Sequence, residues 1–136
     1  MSLCEHSIQT RVSYHETDAM GYLHHSRYLQ YFEIGRVELL RALGFSYADL
    51  EQRGVLFVVV KAEIRYRAPA KFDDLLTLTT RLAKQTTVRL DHEYELHREQ
   101  TLLAEGTTTI ACVDRGGQLQ PIPEELLIQT DETPTR

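Results

Sequence analysis

Between Tyr14 and Tyr28 the chain reads Tyr-His-Glu-Thr-Asp-Ala-Met-Gly-Tyr-Leu-His-His-Ser-Arg-Tyr, which sets three of its six histidines and two carboxylates within a few turns of one another. Asp18 is the first candidate for chemistry. An aspartate is ionised at neutral pH and can attack an activated carbonyl or take a proton from water. Aspartate also closes turns by accepting backbone N–H bonds, and for Asp18 both roles are open at this level. His24 and His25 stand just before an apolar helical pattern, so their backbone N–H groups are candidate orphan donors at the positive end of a helix. Such a donor polarises a carbonyl oxygen and stabilises the oxyanion formed when the carbonyl is attacked. As side chains, either histidine is a candidate base or an exposed loop residue. A metal site drawn from His15, Glu16, Asp18, His24 and His25 matches no zinc signature such as His-Glu-x-x-His, and neither a metal nor a cofactor is expected.

The elements that must hold this stretch are written in the hydrophobic periods. Ile8, Val12 and Tyr14 alternate with polar residues and predict a first strand. From about Ser26 to Leu43 the period becomes helical: Tyr28, Tyr31, Phe32, Gly35, Leu39 and Leu43 form one apolar stripe, with Ser26 as N-cap and Gly44 as the stop. Gly35 inside that helix costs about 1 kcal/mol relative to alanine, a cost offset if the helix lies close against a sheet. Ser46-x-x-Asp49 opens a short second helix ending near Gly54. Four more strands follow: Val60–Arg67, a run around Leu76–Leu82, Thr87–His97 and Thr101–Val113. In the first and third of these, even positions are mostly apolar and odd positions polar, so each is expected to bury one face. On that apolar face His92 reads as a satisfied core or interface histidine. A C-terminal helix is expected over Glu124–Ile128, then a frayed polar tail over 129–136. The layout is α+β, a helix packed on an antiparallel sheet, in one domain spanning 1–136 with its core at about 8–127.

Composition narrows the function classes. The chain has 136 residues, 15 Lys plus Arg against 20 Asp plus Glu, and a net charge of −5. That balance argues against a general nucleic-acid binder, which needs a basic surface to displace counterions. The longest apolar run, Val55–Val60, is far short of a membrane span, and the N-terminus lacks the pattern of a secretory signal. Cys4 and Cys112 form no disulfide framework or Cys-x-x-Cys motif and read as inert thiols of a reducing cytoplasm. No Walker A loop, Gly-x-Gly-x-x-Gly or Gly-x-Ser-x-Gly elbow is present, which removes support for nucleotide hydrolysis, dinucleotide redox chemistry and α/β-hydrolase chemistry.

Two motifs together resemble a known family. Tyr14-x-x-Thr17-Asp18-Ala19-x-Gly21-x-x-x-His25-x-x-Tyr28, followed by Phe32-Glu33 and Arg36 and then by Tyr66-Arg67-Ala68-Pro69-Ala70-x-x-Asp73-Asp74, is similar to the hotdog-fold acyl-CoA thioesterases of the 4-hydroxybenzoyl-CoA thioesterase and YbgC type. The resemblance implies a hotdog fold, a long central helix wrapped by a five-stranded curved antiparallel sheet. It also implies homodimers or homotetramers with the site at a subunit interface. Asp18 would be the catalytic carboxylate, acting as nucleophile or as base for water. His25 would offer its backbone N–H to the thioester oxygen, and its side chain is also a histidine in the YbgC branch. Tyr14, Gly21, Tyr22, His24 and Tyr28 would line the substrate, and Lys61, Arg65 and Arg67 are candidates for an anionic CoA. Met20 and His24 depart from the residues usual in relatives, which bears on the acyl pocket rather than on the reaction. A non-catalytic acyl-CoA-binding hotdog module is the alternative of another class. A hotdog dehydratase fits less well, since it typically spaces Asp and His as Asp-x4-His, whereas His24 and His25 lie six and seven residues after Asp18.

Overall fold

A computed structural model describes residues 2–128. The polar tail expected over 129–136 lies outside the described residues. Five strands, β1 (Cys4–Arg11), β2 (Leu56–Tyr66), β3 (Leu75–Gln85), β4 (Arg89–Arg98) and β5 (Thr101–Val113), form one antiparallel sheet in the order β1-β3-β4-β5-β2. Helix α1 (Arg27–Ala42) lies against one face, and the shorter α2 (Tyr47–Gln52) follows it. This is the hotdog architecture expected from the resemblance.

The apolar stripe of α1 is what the sheet covers. Tyr28, Tyr31, Phe32, Gly35 and Leu39 are its buried residues, and they face Leu76, Leu78, Thr80 and Leu82 of β3 and Leu90, His92, Tyr94 and Leu96 of β4, all buried. Phe32 stacks flat on Tyr94, with ring centroids 4.1 Å apart. Gly35 marks the closest approach: a Cβ there would come within 2.8 Å of Leu78 Cδ2 and closer still to Thr80 Oγ1. The missing side chain is therefore what seats the helix, as its position inside the stripe predicts.

Four local expectations are corrected. The first strand ends at Arg11, and Tyr14 belongs to a 3-10 turn, Tyr14–Glu16, that begins where the Ser13 N–H donates to Glu16 Oε1 at 2.9 Å. The strand expected at Val60–Arg67 runs over Leu56–Tyr66 and does not bury one face: Val60 and Tyr66 are each 50% exposed. It is the sheet's edge, and its register with β5 shifts between Val59 and Lys61, so α1 does not cover it as it covers β3 and β4. Ser26 stands at the N-cap position of α1 but makes no capping bond, because its helical backbone (φ −70°, ψ −15°) turns its hydroxyl toward His24. Ser46 does cap α2, accepting from the Asp49 N–H at 3.2 Å. The C-terminal helix is a single 3-10 turn, Glu124–Leu126.

Among the described residues no helix is long and apolar enough to cross a membrane. Cys112 is buried and Cys4 partly so, and burial pushes both thiols above their ordinary pKa, away from thiolate chemistry.

Candidate active site

The loop between β1 and α1 is a tight structure built by its own backbone. The Asp18 N–H donates to Tyr22 O at 2.8 Å, the Gly21 N–H donates to Asp18 O at 2.9 Å, and Gly21 takes the left-handed conformation (φ +80°) that closes this turn. Asp18 Oδ1 accepts from the N–H groups of Met20 (2.9 Å) and Tyr22 (3.1 Å). One carboxylate oxygen thus does the turn work, and no hydrogen bond among the described residues engages Oδ2.

The loop is tied to the segment after β2. Leu23 N–H donates to Ala70 O at 2.8 Å, Tyr22 bridges to Lys71, and Phe72 N–H donates to Gly21 O. Glu16 braces the loop from inside, since its Oε1 also accepts from the Tyr31 hydroxyl at 2.8 Å and its carbonyl accepts from the His24 N–H at 2.8 Å. Burial first, and then the Glu16 bond, push the Tyr31 phenol well above its ordinary pKa, so Tyr31 keeps its proton and its donor role.

His24 and His25 differ in what remains available. The His24 N–H is spent on Glu16, and its Nδ1 accepts from the Ser26 N–H at 3.1 Å. Its ring lies over that of His25, centroids 4.2 Å apart. The His25 N–H meets no hydrogen-bond acceptor among the described residues, and the His25 carbonyl accepts from the Tyr66 hydroxyl at 3.3 Å. Tyr66 also sets its ring edge-on to buried Tyr28 at 4.9 Å, and burial together with Tyr66 raises the Tyr28 pKa. Asp18, Tyr22, Leu23, His25, Tyr28 and the Tyr66–Pro69 segment line one open groove of about 340 Å³. A carboxylate and the backbone N–H of His25, the residue before the Ser26 N-cap of α1, on one groove are groups that can attack a carbonyl and hold its oxyanion.

Comparison with known proteins agrees with that chemistry. Residues 12–129 match the thioesterase-like superfamily. The acyl-CoA thioesterase YbgC of Haemophilus influenzae is 38% identical over 123 residues, covering 88% of this chain and 90% of that protein. The chain belongs to the thioesterase-like superfamily. Among solved structures, a probable thioesterase from Bartonella henselae superposes with a TM-score of 0.84 at 34% identity, over 88% of this chain and 100% of that one. A hypothetical protein from Thermus thermophilus does so with a TM-score of 0.85 at 41% identity, over 88% and 92%.

Within this thioesterase-like chain, the residues singled out from the sequence divide into two groups. Asp18, Tyr22, His25 and Tyr28 line the groove, with Gly21 and His24 in the loop beneath it. Tyr14 does not line it: 77% exposed, it meets Phe72 edge-on at 5.5 Å. Lys61 and Arg65 are not brought to it either, because they lie on the face of β2 turned away from α1. There Lys61 approaches Glu63 at 3.6 Å, and Arg65 lines a cleft with Glu63, Glu93, Glu95 and Glu105. Arg67 is the basic residue on the groove, paired with Glu105. Tyr66, Ala68 and Pro69 were not singled out as site residues, and their signal was the second motif, some forty residues after the first. Among the described residues, no three His, Cys, Asp or Glu side chains converge as metal ligands.

Proposed function

We propose that this chain is an acyl-CoA thioesterase, hydrolysing a thioester to a free carboxylic acid and CoA, with Asp18 and the His25 N–H as the working groups. The single observation carrying the reading is the pairing of the free Asp18 oxygen with the unengaged His25 N–H on one groove, in a chain of the thioesterase-like superfamily. The His25 N–H would take the thioester oxygen as it gains charge. In one route the Asp18 carboxylate adds to the carbonyl carbon, the C–S bond breaks to release CoA thiolate, and water hydrolyses the resulting mixed anhydride. In the other, Asp18 takes a proton from a water that adds directly to the carbonyl carbon, and the C–S bond then breaks to release CoA, which takes up the proton. Single turnover in 18O-labelled water separates the two, because label entering the Asp18 carboxylate requires the anhydride. Release of thiol from a panel of acyl-CoAs tests the reading as a whole, and no turnover of any member would overturn it.

The exposed β2 edge supports a homodimer or a homotetramer. Val58, Val59 and Val60 are about half exposed on that edge, an uncharged apolar stretch that a partner strand could cover. Pairing two copies there would put the substrate between subunits. Sedimentation should give at least twice the chain mass, and Val59→Lys should shift it toward the monomer.

One observation favours the non-catalytic alternative, a module that binds acyl-CoA without cleaving it: Asp18 Oδ1 already closes a turn. That reading leaves Oδ2 without a task, and it predicts CoA-thioester binding with no thiol released.

A further inference from the structure

At the far end of α1 from Asp18 lies a second space of different character, a cavity of about 270 Å³ between the helix and the sheet. Most of its lining is apolar, including Val37, Leu40, Leu90, Ile110 and the Phe57–Val59 stretch of β2, and Glu33 and Arg36 of α1 also line it. One buried polar group on its wall lacks a partner. His92 is 5% exposed, and its Nδ1 has no hydrogen-bond partner among the described residues. Leaving a buried polar group unpaired is unfavourable, so such an atom in a cavity wall marks a place for a complementary group. Burial first, then the neighbouring Arg36 charge, hold the His92 pKa down to about 3, with Asp91 opposing. The ring is therefore neutral, with one N–H and one lone pair, and a hydroxyl can satisfy either.

We propose that this cavity receives the acyl chain of the thioester, and that His92 recognises a hydroxyl carried at or near the distal end of that chain. The inference rests on the thioesterase reading and deepens it by naming the substrate class. Size favours a medium chain: at the ~30 Å³ that a water occupies in the liquid, the cavity holds about nine non-hydrogen atoms. Reach joins the cavity to the Asp18 groove: Glu33 on the cavity wall and Tyr28 on the groove are five residues apart on α1, roughly 7.5 Å along the helix. A chain of eight or nine atoms with bonds of ~1.5 Å extends about 10 Å, enough to cross that separation.

The test compares 8-hydroxyoctanoyl-CoA with nonanoyl-CoA, which differ only in a terminal OH against CH3. The wild type should prefer the hydroxylated substrate by roughly tenfold in kcat/KM, the value of one buried hydrogen bond. His92→Leu should abolish that preference while still cleaving nonanoyl-CoA. Val37→Phe, which narrows the cavity without touching the Asp18 loop, should move the optimum to shorter chains. Free 8-hydroxyoctanoate should shift the His92 ring resonances in NMR spectra of the wild-type protein, a readout independent of turnover. Normal hydrolysis with no preference for the hydroxyl, or an unmoved His92 ring at saturating acid, would overturn the inference and leave the thioesterase reading standing. Absence of thioester cleavage by the wild type would overturn that reading instead.

Discussion

The two ends of α1 solve opposite problems. At the N-terminal end, polar groups are exposed and satisfy one another: Glu16 braces Ser13, Tyr31 and His24, and Asp18 Oδ1 holds two backbone N–H groups. What remains there, among the described residues, is an unengaged carboxylate oxygen and an unengaged N–H on residues lining an open groove. At the other end the lining is mostly apolar, with Glu33 and Arg36 also on it, and one buried histidine has no hydrogen-bond partner among the described residues. The difference shows how a single helix on one sheet separates two requirements, polar groups held ready for a reacting carbonyl and a dry space for a hydrocarbon. Neither end can be rebuilt without the seat between them, where Gly35 lets the helix touch Thr80 and Leu78.

The largest expected effect belongs to the dry end. His92 titrates near 6.5 when unfolded and at about 3 when folded, so between those values the unfolded state binds the extra proton. Its contribution to stability is complete above about pH 6.5 and is lost progressively as the pH falls toward 3. The groups facing it, Arg36 and Asp91, act in opposite directions, and burial outweighs both. Denaturant unfolding at several pH values should therefore show a steeper loss in the wild type than in His92→Leu, by up to one proton, about 1.4 kcal/mol per pH unit. Equal slopes would mean that the histidine is hydrated and the cavity wet. At the seat, Gly35→Ala gains helix propensity but drives a methyl into Thr80 and Leu78, and a net loss of about 1–3 kcal/mol is expected in thermal melts. An unchanged or raised Tm would show that the helix sits less tightly than described. The smallest effect separates two serines: Ser46→Ala should cost about 1 kcal/mol because Ser46 caps α2, whereas Ser26→Ala should stay within about 0.5 kcal/mol because Ser26 caps nothing.

Much of this was legible in the residues, and the failures share a cause. Alternation marked β4 correctly, with Leu90, His92, Tyr94 and Leu96 all inward, yet the same period in β2 did not mean burial. Period two reports that a strand has two faces; whether a helix covers one depends on sheet order, which non-local pairing decides. Lys61 and Arg65 show the same limit, since their spacing puts them together on a face but cannot say that the face looks away from the Asp18 loop of their own chain. Asp18 was read as a turn former or a catalyst, and its two oxygens make the alternatives compatible. His92 was placed in the core correctly, but a lost partner is a property of its neighbours, which no single strand can reveal.

The most direct test of the central claim is the rate of thioester hydrolysis by Asp18→Asn. The amide oxygen of asparagine can still accept from the Met20 and Tyr22 N–H groups, so the loop and the melting temperature should be preserved while the anionic oxygen is lost. The account predicts a fall in kcat of roughly a thousandfold or more on the best acyl-CoA, with thioester binding retained. Cleavage of that substrate by the asparagine variant at the wild-type rate would contradict it.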